Sequence, residues 1–217
     1  MKFLRFYILY RLYFIISLIV LGVLLYIYVD KITAWLCFIA SFISILLYFL
    51  VGTMRLVQDA AQEGDIDKAV DYLNKIKFPR LLLKPVRSAY YMLQSNFNLV
   101  NKDLDKAEEN IRKGIKSKSS LAGDTEGMML FQLAMISLQK GNMKEGRSQL
   151  LQAIKAGIPD NENLAAAYLQ LSGIEIQRRQ FSAGKNYFRK AKSLKPKTAQ
   201  LVDQIKEMDK ALARLPG

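Results

Sequence analysis

Two short stretches carry residues whose types and spacing could do chemistry. In Gly64 to Leu73, GDIDKAVDYL, Asp65 and Asp67 form an Asp-x-Asp pair of the kind that can hold a divalent cation beside a phosphate. The pair returns in Lys102 to Ile111, KDLDKAEENI, as Asp103 and Asp105, followed by the same Lys-Ala. Two carboxylates without further acidic or His ligands hold a hard cation weakly. At the entrance to a helix, however, an Asp accepts orphan backbone N–H bonds and meets the positive end of the helix dipole. Capping accounts for both pairs, so no metal and no cofactor are expected.

The rest of the composition narrows the chemistry further. The sequence contains no His and one Cys, Cys37. That removes His acid/base catalysis, Ser-His and Cys-His nucleophilic pairs and Cys/His zinc sites. No catalytic residue is expected, and the chain is not read as an enzyme. Cys37 reads as a small apolar residue facing lipid or a partner helix, and a lone cysteine makes no intramolecular disulfide.

The elements that position these residues begin at a composition boundary. Residues 1–52 carry five formal charges (Lys2, Arg5, Arg11, Asp30, Lys31), whereas residues 53–217 are ordinarily polar. Residues 12–29 and 32–52 are apolar runs, each about long enough to cross a hydrocarbon core of roughly 30 Å at 1.5 Å per residue. Joined by a tight turn at Asp30-Lys31, they read as a transmembrane helical hairpin. A cleaved signal peptide would have a shorter apolar region ending in small residues, which Val29 does not introduce. Tyr7, Tyr10, Tyr13, Tyr26, Tyr28, Trp35 and Tyr48 cluster near the span ends, as interfacial aromatics do. Lys2, Arg5 and Arg11 precede the first span, and Arg55 and Lys68 follow the second, with Lys31 alone in the turn. The positive-inside rule places both termini and the domain beyond residue 52 in the cytoplasm, on the inner membrane of a cell.

Past Gly52 the pattern turns helical, in runs of about 12–15 residues separated by Gly, Asn, Lys-Asp or Pro breaks. The fold class is all-α. Small residues recur at Ala69, Ala107, Gly146 and Gly184, each followed four residues later by Leu73, Ile111, Leu150 or Phe188. First-helix frames precede them: Tyr91-x2-Gln94-Ser95-x2-Asn98, Leu130-x2-Leu133-Ala134-x2-Ser137 and Tyr168-x2-Leu171-Ser172-x2-Glu175, with Thr53-x2-Leu56-Val57-x2-Ala60 the poorest match. A small residue early in the second helix lets the helices of a pair approach, and the residue four on plugs the next interface.

The pattern resembles the tetratricopeptide repeat (TPR), Trp-x2-Leu-Gly-x2-Tyr then Ala-x3-Phe then Pro. The best unit is the fourth, AAAYLQLSGIEIQRRQFSAGKNYFRKAKSLKP, ending at Pro196. The chain departs from the family in having no first-helix Trp or Gly, and its units run about four residues longer. The resemblance, with the hairpin ahead of it, is to a membrane-anchored bacterial TPR protein. It implies an α-solenoid of about four helix pairs over residues 53–196, and residues 197–217 read as a C-terminal capping helix and tail. Ala199, Val202, Ile205, Met208, Leu212 and Leu215 would form the cap's apolar stripe.

By the same resemblance the first helices line a partner groove, here Met92, Asn96, Leu99, Met128, Phe131, Met135, Leu169 and Ile176. This methionine-rich apolar lining suits a hydrophobic or helical protein segment. Only Asn96 matches the family's carboxylate-binding set, so C-terminal carboxylate recognition is not expected. Residues 53–217 hold 28 Lys and Arg against 18 Asp and Glu. Of three basic clusters, Lys75, Lys77, Arg80, Lys84 and Arg87 surround Leu81-Leu82-Leu83 and are the membrane-lipid candidates. The others, Arg112, Lys113, Lys116 and Lys118, and Lys185, Arg189, Lys190, Lys192, Lys195 and Lys197, include solvated faces. No nucleic-acid motif accompanies them, and no nucleic-acid partner is expected. The reading that results is an interaction scaffold recruiting a protein partner to the membrane. The alternatives are an envelope-assembly or chaperone-like adaptor with the repeats on the outer face, and a lipid-surface accessory protein.

Overall fold

The computed structural model describes residues 2–51, 53–117 and 125–213, with the side chains of residues 2–6, 8 and 9 excepted. Among these residues every regular element is helical, with eleven α-helices and one 3-10 turn. The chain divides into two compact units, Met1–Tyr90 and Tyr91–Gly217.

The first unit opens with α1 (Lys2–Tyr28) and α2 (Lys31–Val51). Helix α1 leaves helical geometry at Tyr10 (φ −102°, ψ 15°), so its apolar part starts there. Asp30 stops one helix and starts the next, its carboxylate accepting from the Thr33 backbone N–H (3.2 Å) and hydroxyl (3.0 Å). The two helices meet through small residues. Ala34, Ser41 and Ser44 are buried, Ser44 meets the Tyr7 hydroxyl at 3.0 Å, and a side chain on Gly22 would press within 2.9 Å of the Phe38 ring. The large apolar residues face outward, among them Leu12 (55% exposed), Trp35 (62%) and Phe42 (60%). Only 17% of the first apolar window and 11% of the second is buried, which is unlike the core helices of a water-soluble domain.

Helices α3 (Met54–Gln62) and α4 (Ile66–Asn74) pair by burying Leu56, Val57 and Ala60 with Ala69 and Leu73. Helices α2 and α3 are separate elements, and Gly52 lies outside the described residues. After α4 the chain runs through a 3-10 turn (Pro79–Leu81) into α5 (Lys84–Val100), within which the unit boundary falls.

The second unit continues with α6 (Leu104–Lys116), α7 (Thr125–Gln139), α8 (Met143–Ala156), α9 (Asn161–Gln177), α10 (Phe181–Ser193) and α11 (Ala199–Leu212). Its cores lie between successive pairs. Ala107, Ile111, Met129, Leu133 and Ile136 form one, and Phe131, Ala134, Leu150, Ala153, Ala167 and Leu171 another. Helix α11 closes the last core with Leu201, Ile205 and Leu212 against Ala165, Leu169, Phe188 and Ala191. Its stripe is shifted from the expected one: Ala199, the first helical residue, is exposed, and Leu201 is buried instead. The spacing 201, 205, 208, 212 keeps one face, because 199 sits nearly a half-turn away. Leu215 lies outside the described residues.

Candidate interaction surface

The joint between the helices of each pair is built the same way four times. Gly64, Lys102, Gly141 and Arg179 all have left-handed backbone, with φ of 77°, 59°, 82° and 61°. Their spacing follows the period of the small residues. The next residue's N–H reaches back across the turn: Asp65 to the Ala60 carbonyl (3.0 Å), Asp103 to Asn98 (2.9 Å), Asn142 to Ser137 (2.8 Å) and Gln180 to Glu175 (2.8 Å). This six-to-one bond ends the first helix and aims the second back along it. Two of the four left-handed positions are not glycine, which is why the joint was not evident from glycine alone.

The aspartates that raised the metal question sit at these joints. Asp65 accepts from the Lys68 N–H and Asp103 from the Lys106 N–H, each at 3.1 Å, as helix caps. The Lys side chain of each motif returns to the same carboxylate. Asp67 and Asp105 occupy the first turns, and Asp105 meets Lys140 at 2.6 Å. The small residues that follow allow close approach. The Ser95 hydroxyl donates to the Ala107 carbonyl and the Ser172 hydroxyl to the Gly184 carbonyl, both at 2.8 Å, tying the helices of two pairs by one repeated bond.

Charged residues then fix neighbouring pairs in register. Lys140 bonds Asp105 and Glu108, while Arg112 bonds Glu108 and Glu145. Glu175, only 2% exposed, receives Arg147 Nε at 2.5 Å and Arg178 Nη1 at 3.1 Å. Glu162 accepts the backbone N–H groups of Lys197 and Thr198, holding the entry to α11. Arg112–Glu108 and Arg178–Glu175 are local helix pairs; the other roles could not be read locally, since each partner lies 28 or more residues away.

These contacts have a pH signature. Hydrogen bonds hold four carboxyls below their ordinary range: from Lys68 to Asp65, Lys106 to Asp103, Lys140 to Glu108, and the Lys197 backbone to Glu162. A carboxyl whose folded value is depressed stabilises the fold above its unfolded value and loses that contribution as pH falls through the folded one. The melting temperature of the full chain in detergent, followed by circular dichroism, is therefore expected to hold between pH 7 and about 5 and to decline below about 4. Asp65→Ala/Asp103→Ala should lower the melting temperature at neutral pH and flatten that decline.

The expected groove residues separate into two groups. Phe131 (8% exposed) and Leu169 (4%) are buried between helix pairs. They occupy equivalent places, three residues before Ala134 and Ser172, and the following pair covers Phe131 while α11 covers Leu169. Met92 and Leu99 are half-buried against one core, Met128 and Met135 against the next, and Ile176 against the last. Asn96 is half-buried and accepts from Gln132 Nε2 at 3.0 Å, bridging α5 and α7.

In the first unit, Lys75, Lys77, Arg80 and Lys84 are exposed together with Phe78, Leu81 and Leu83. Arg87 differs from this group. Its guanidinium donates to the carbonyls of Arg80 and Leu82, so it shapes the connector rather than extending into solvent. The second and third basic clusters are partly matched by acids, Arg112 by Glu108 and Glu145, Lys113 by Glu109 and Lys192 by Asp209. Lys118 lies outside the described residues.

Comparison with known proteins centres on the last helix pair. Residues 165–198 match the tetratricopeptide repeat model, which is the unit whose frame stood out in the sequence. The solved structure of Pseudomonas aeruginosa pilF is similar, with a TM-score of 0.55 at 11% identity over 94% of this chain and 88% of that one. At that identity the likeness is one of fold. No curated protein sequence matches the chain. Residues 165–198 thus form a tetratricopeptide repeat, set in an all-helical fold of paired helices like that of the solved structure.

Proposed function

We propose that this protein is a membrane-anchored interaction scaffold whose repeat surface recruits a protein partner to the bilayer. Repeats of this type serve protein–protein interaction through extended surfaces. The observation that carries the membrane part is the outward-facing apolar hairpin, with spans of 19 and 21 residues whose apolar windows are 17% and 11% buried, directly ahead of the repeats. In water such a surface would be a large aggregation-prone patch; in lipid it is the expected exterior of a span. Residues 1–52 act as the anchor, 53–196 as the repeats and 197–217 as the cap, with the repeats and both termini in the cytoplasm. Confinement to the membrane raises the effective concentration of the surface toward other membrane proteins without any new contact. The partner-facing residues are the half-buried Met92, Asn96, Leu99, Met128, Met135 and Ile176; no residue is assigned chemistry.

Topology is tested by labelling. With Cys37→Ser and Lys197→Cys, intact cells should resist an impermeant thiol reagent, and only opened cells should label. Labelling of intact cells would place the repeats on the outer face. Recruitment is tested with a photocrosslinking amino acid at Gln132 in native membranes. A discrete adduct lost on Met135→Glu is the expected result, and an adduct pattern indifferent to that substitution would refute the assigned surface.

A further inference from the structure

The first unit contains a cavity of about 330 Å³ that the scaffold reading does not use. Three of the residues lining it are cationic, Arg11, Lys75 and Lys77, and none is acidic. Between Tyr72 and Lys102 the sequence has no Asp or Glu at all. Lys75 lies 3.9 Å from the exposed Asp71 carboxylate, a long surface contact that leaves its charge largely available. Arg11 is only 4% exposed, with its guanidinium 5.0 Å from the centroid of the Tyr48 ring. The connector carrying the lysines is fixed to the end of α2. The Leu83 N–H donates to the Leu50 carbonyl at 2.9 Å, and the Phe78 and Phe49 rings lie 6.4 Å apart.

The height of this cavity along the hairpin follows from helix geometry. From Arg11 to Tyr28 and from Lys31 to Tyr48 the helical rise is about 26 Å on each side. With the Asp30 turn at one interface of a core of roughly 30 Å, Arg11 and Tyr48 stand at the other. The wall made by Arg11, Leu12, Tyr48 and Phe49 is thus at the boundary between the acyl chains and the lipid phosphates. The cavity is at the small end of ligand sites, about 300–1,000 Å³. It can hold a headgroup, while the chains leave past Leu12 and Phe49, 55% and 36% exposed.

We propose that this cavity binds the headgroup of an anionic phospholipid from the leaflet at the open end of the hairpin. The inference rests on the reading that the hairpin spans the membrane. A phosphate offers Lys75 and Lys77 a counter-charge beside the Arg11 guanidinium, and the aromatic walls select an amphiphile over a soluble anion. The bound lipid would fasten the 75–83 connector, and with it the start of α5, to the bilayer surface.

The test uses the full chain in mild detergent, with phosphatidylglycerol or phosphatidylcholine added and bound lipid counted by native mass spectrometry. Phosphatidylglycerol should be retained in preference, and Lys75→Gln/Lys77→Gln should weaken its retention on the order of tenfold. Lys185→Gln/Lys190→Gln, which removes the same charge from the repeats, should leave it unchanged. Equal retention of the two lipids, or equal loss in both double variants, would overturn the site. Displacement of the lipid by millimolar inorganic phosphate would make this a phosphate site and overturn the lipid assignment. Alkaline extraction of the same variants from membranes separates the two readings. A chain released by carbonate contradicts the spanning hairpin, whereas a chain that stays embedded but shows no lipid preference contradicts only the headgroup site.

Discussion

Phe131→Glu is expected to unfold the second unit. Phe131 is 8% exposed and packs with Ala134, Leu150, Ala153, Ala167 and Leu171, so the substitution removes an aromatic side chain and leaves a carboxylate among apolar groups. The combined cost is about 4 kcal/mol or more, a large part of the stability of a domain of this size. Loss of the cooperative helical melt by circular dichroism is the outcome to look for; a normal melt with only partner binding lost would show that Phe131 faces a groove after all. Met135→Glu, four residues on and half-buried, is expected to keep the melt, which makes it the proper probe of the partner surface.

Gly127→Ala is expected to be the most damaging single-methyl change in the repeats. A Cβ on Gly127 would stand 1.8 Å from the Gly157 carbonyl oxygen and 2.5 Å from its carbon. Both obstacles are backbone, and Gly157 is itself the residue that ends α8, at φ 95°. Relief requires moving the turn between α8 and α9 or the start of α7, at a cost of about 3 kcal/mol. Two other glycines serve as controls. At Gly146 a Cβ meets the end of the flexible Leu138 side chain at 2.6 Å, so Gly146→Ala should cost less than Gly127→Ala. At Gly173 the nearest atom is Met208 Cε at 3.9 Å, and Gly173→Ala should stabilise the helix by up to about 1 kcal/mol. Chemical denaturation of the three variants checks the order; equal effects would show that the α7 start and the Gly157 turn are not in contact.

The connector at 75–83 shows how a surface reading changes once neighbours are known. As sequence it is a basic stretch with three leucines. In the fold Leu82 is buried, Arg87 turns back on the connector's own carbonyls, and Lys75 and Lys77 come beside Arg11 and Tyr48, 27 to 66 residues away in the chain. Charge counting found the segment, but only the closed loop between α2 and α5 assembles a cavity from it.

What the sequence determined by itself are the features with local causes. Helix type follows from the spacing of apolar residues, the pairing from small residues recurring at a period near 38, and the caps at Asp65 and Asp103 from donors three residues along the same helix. The apolar length of the two N-terminal helices is likewise a property of each segment alone. Tertiary structure decided the matters that depend on what covers a face. Phe131 and Met135 lie on one helix and are both apolar, but the next helix pair buries only the first. Glu175 reads as a surface residue until Arg147 closes over it, and Glu162 becomes the anchor of α11 because the chain returns at Lys197. Periodicity places a side chain on a helix face; whether that face meets water, lipid or protein is set by segments distant in sequence, whose approach no local pattern encodes.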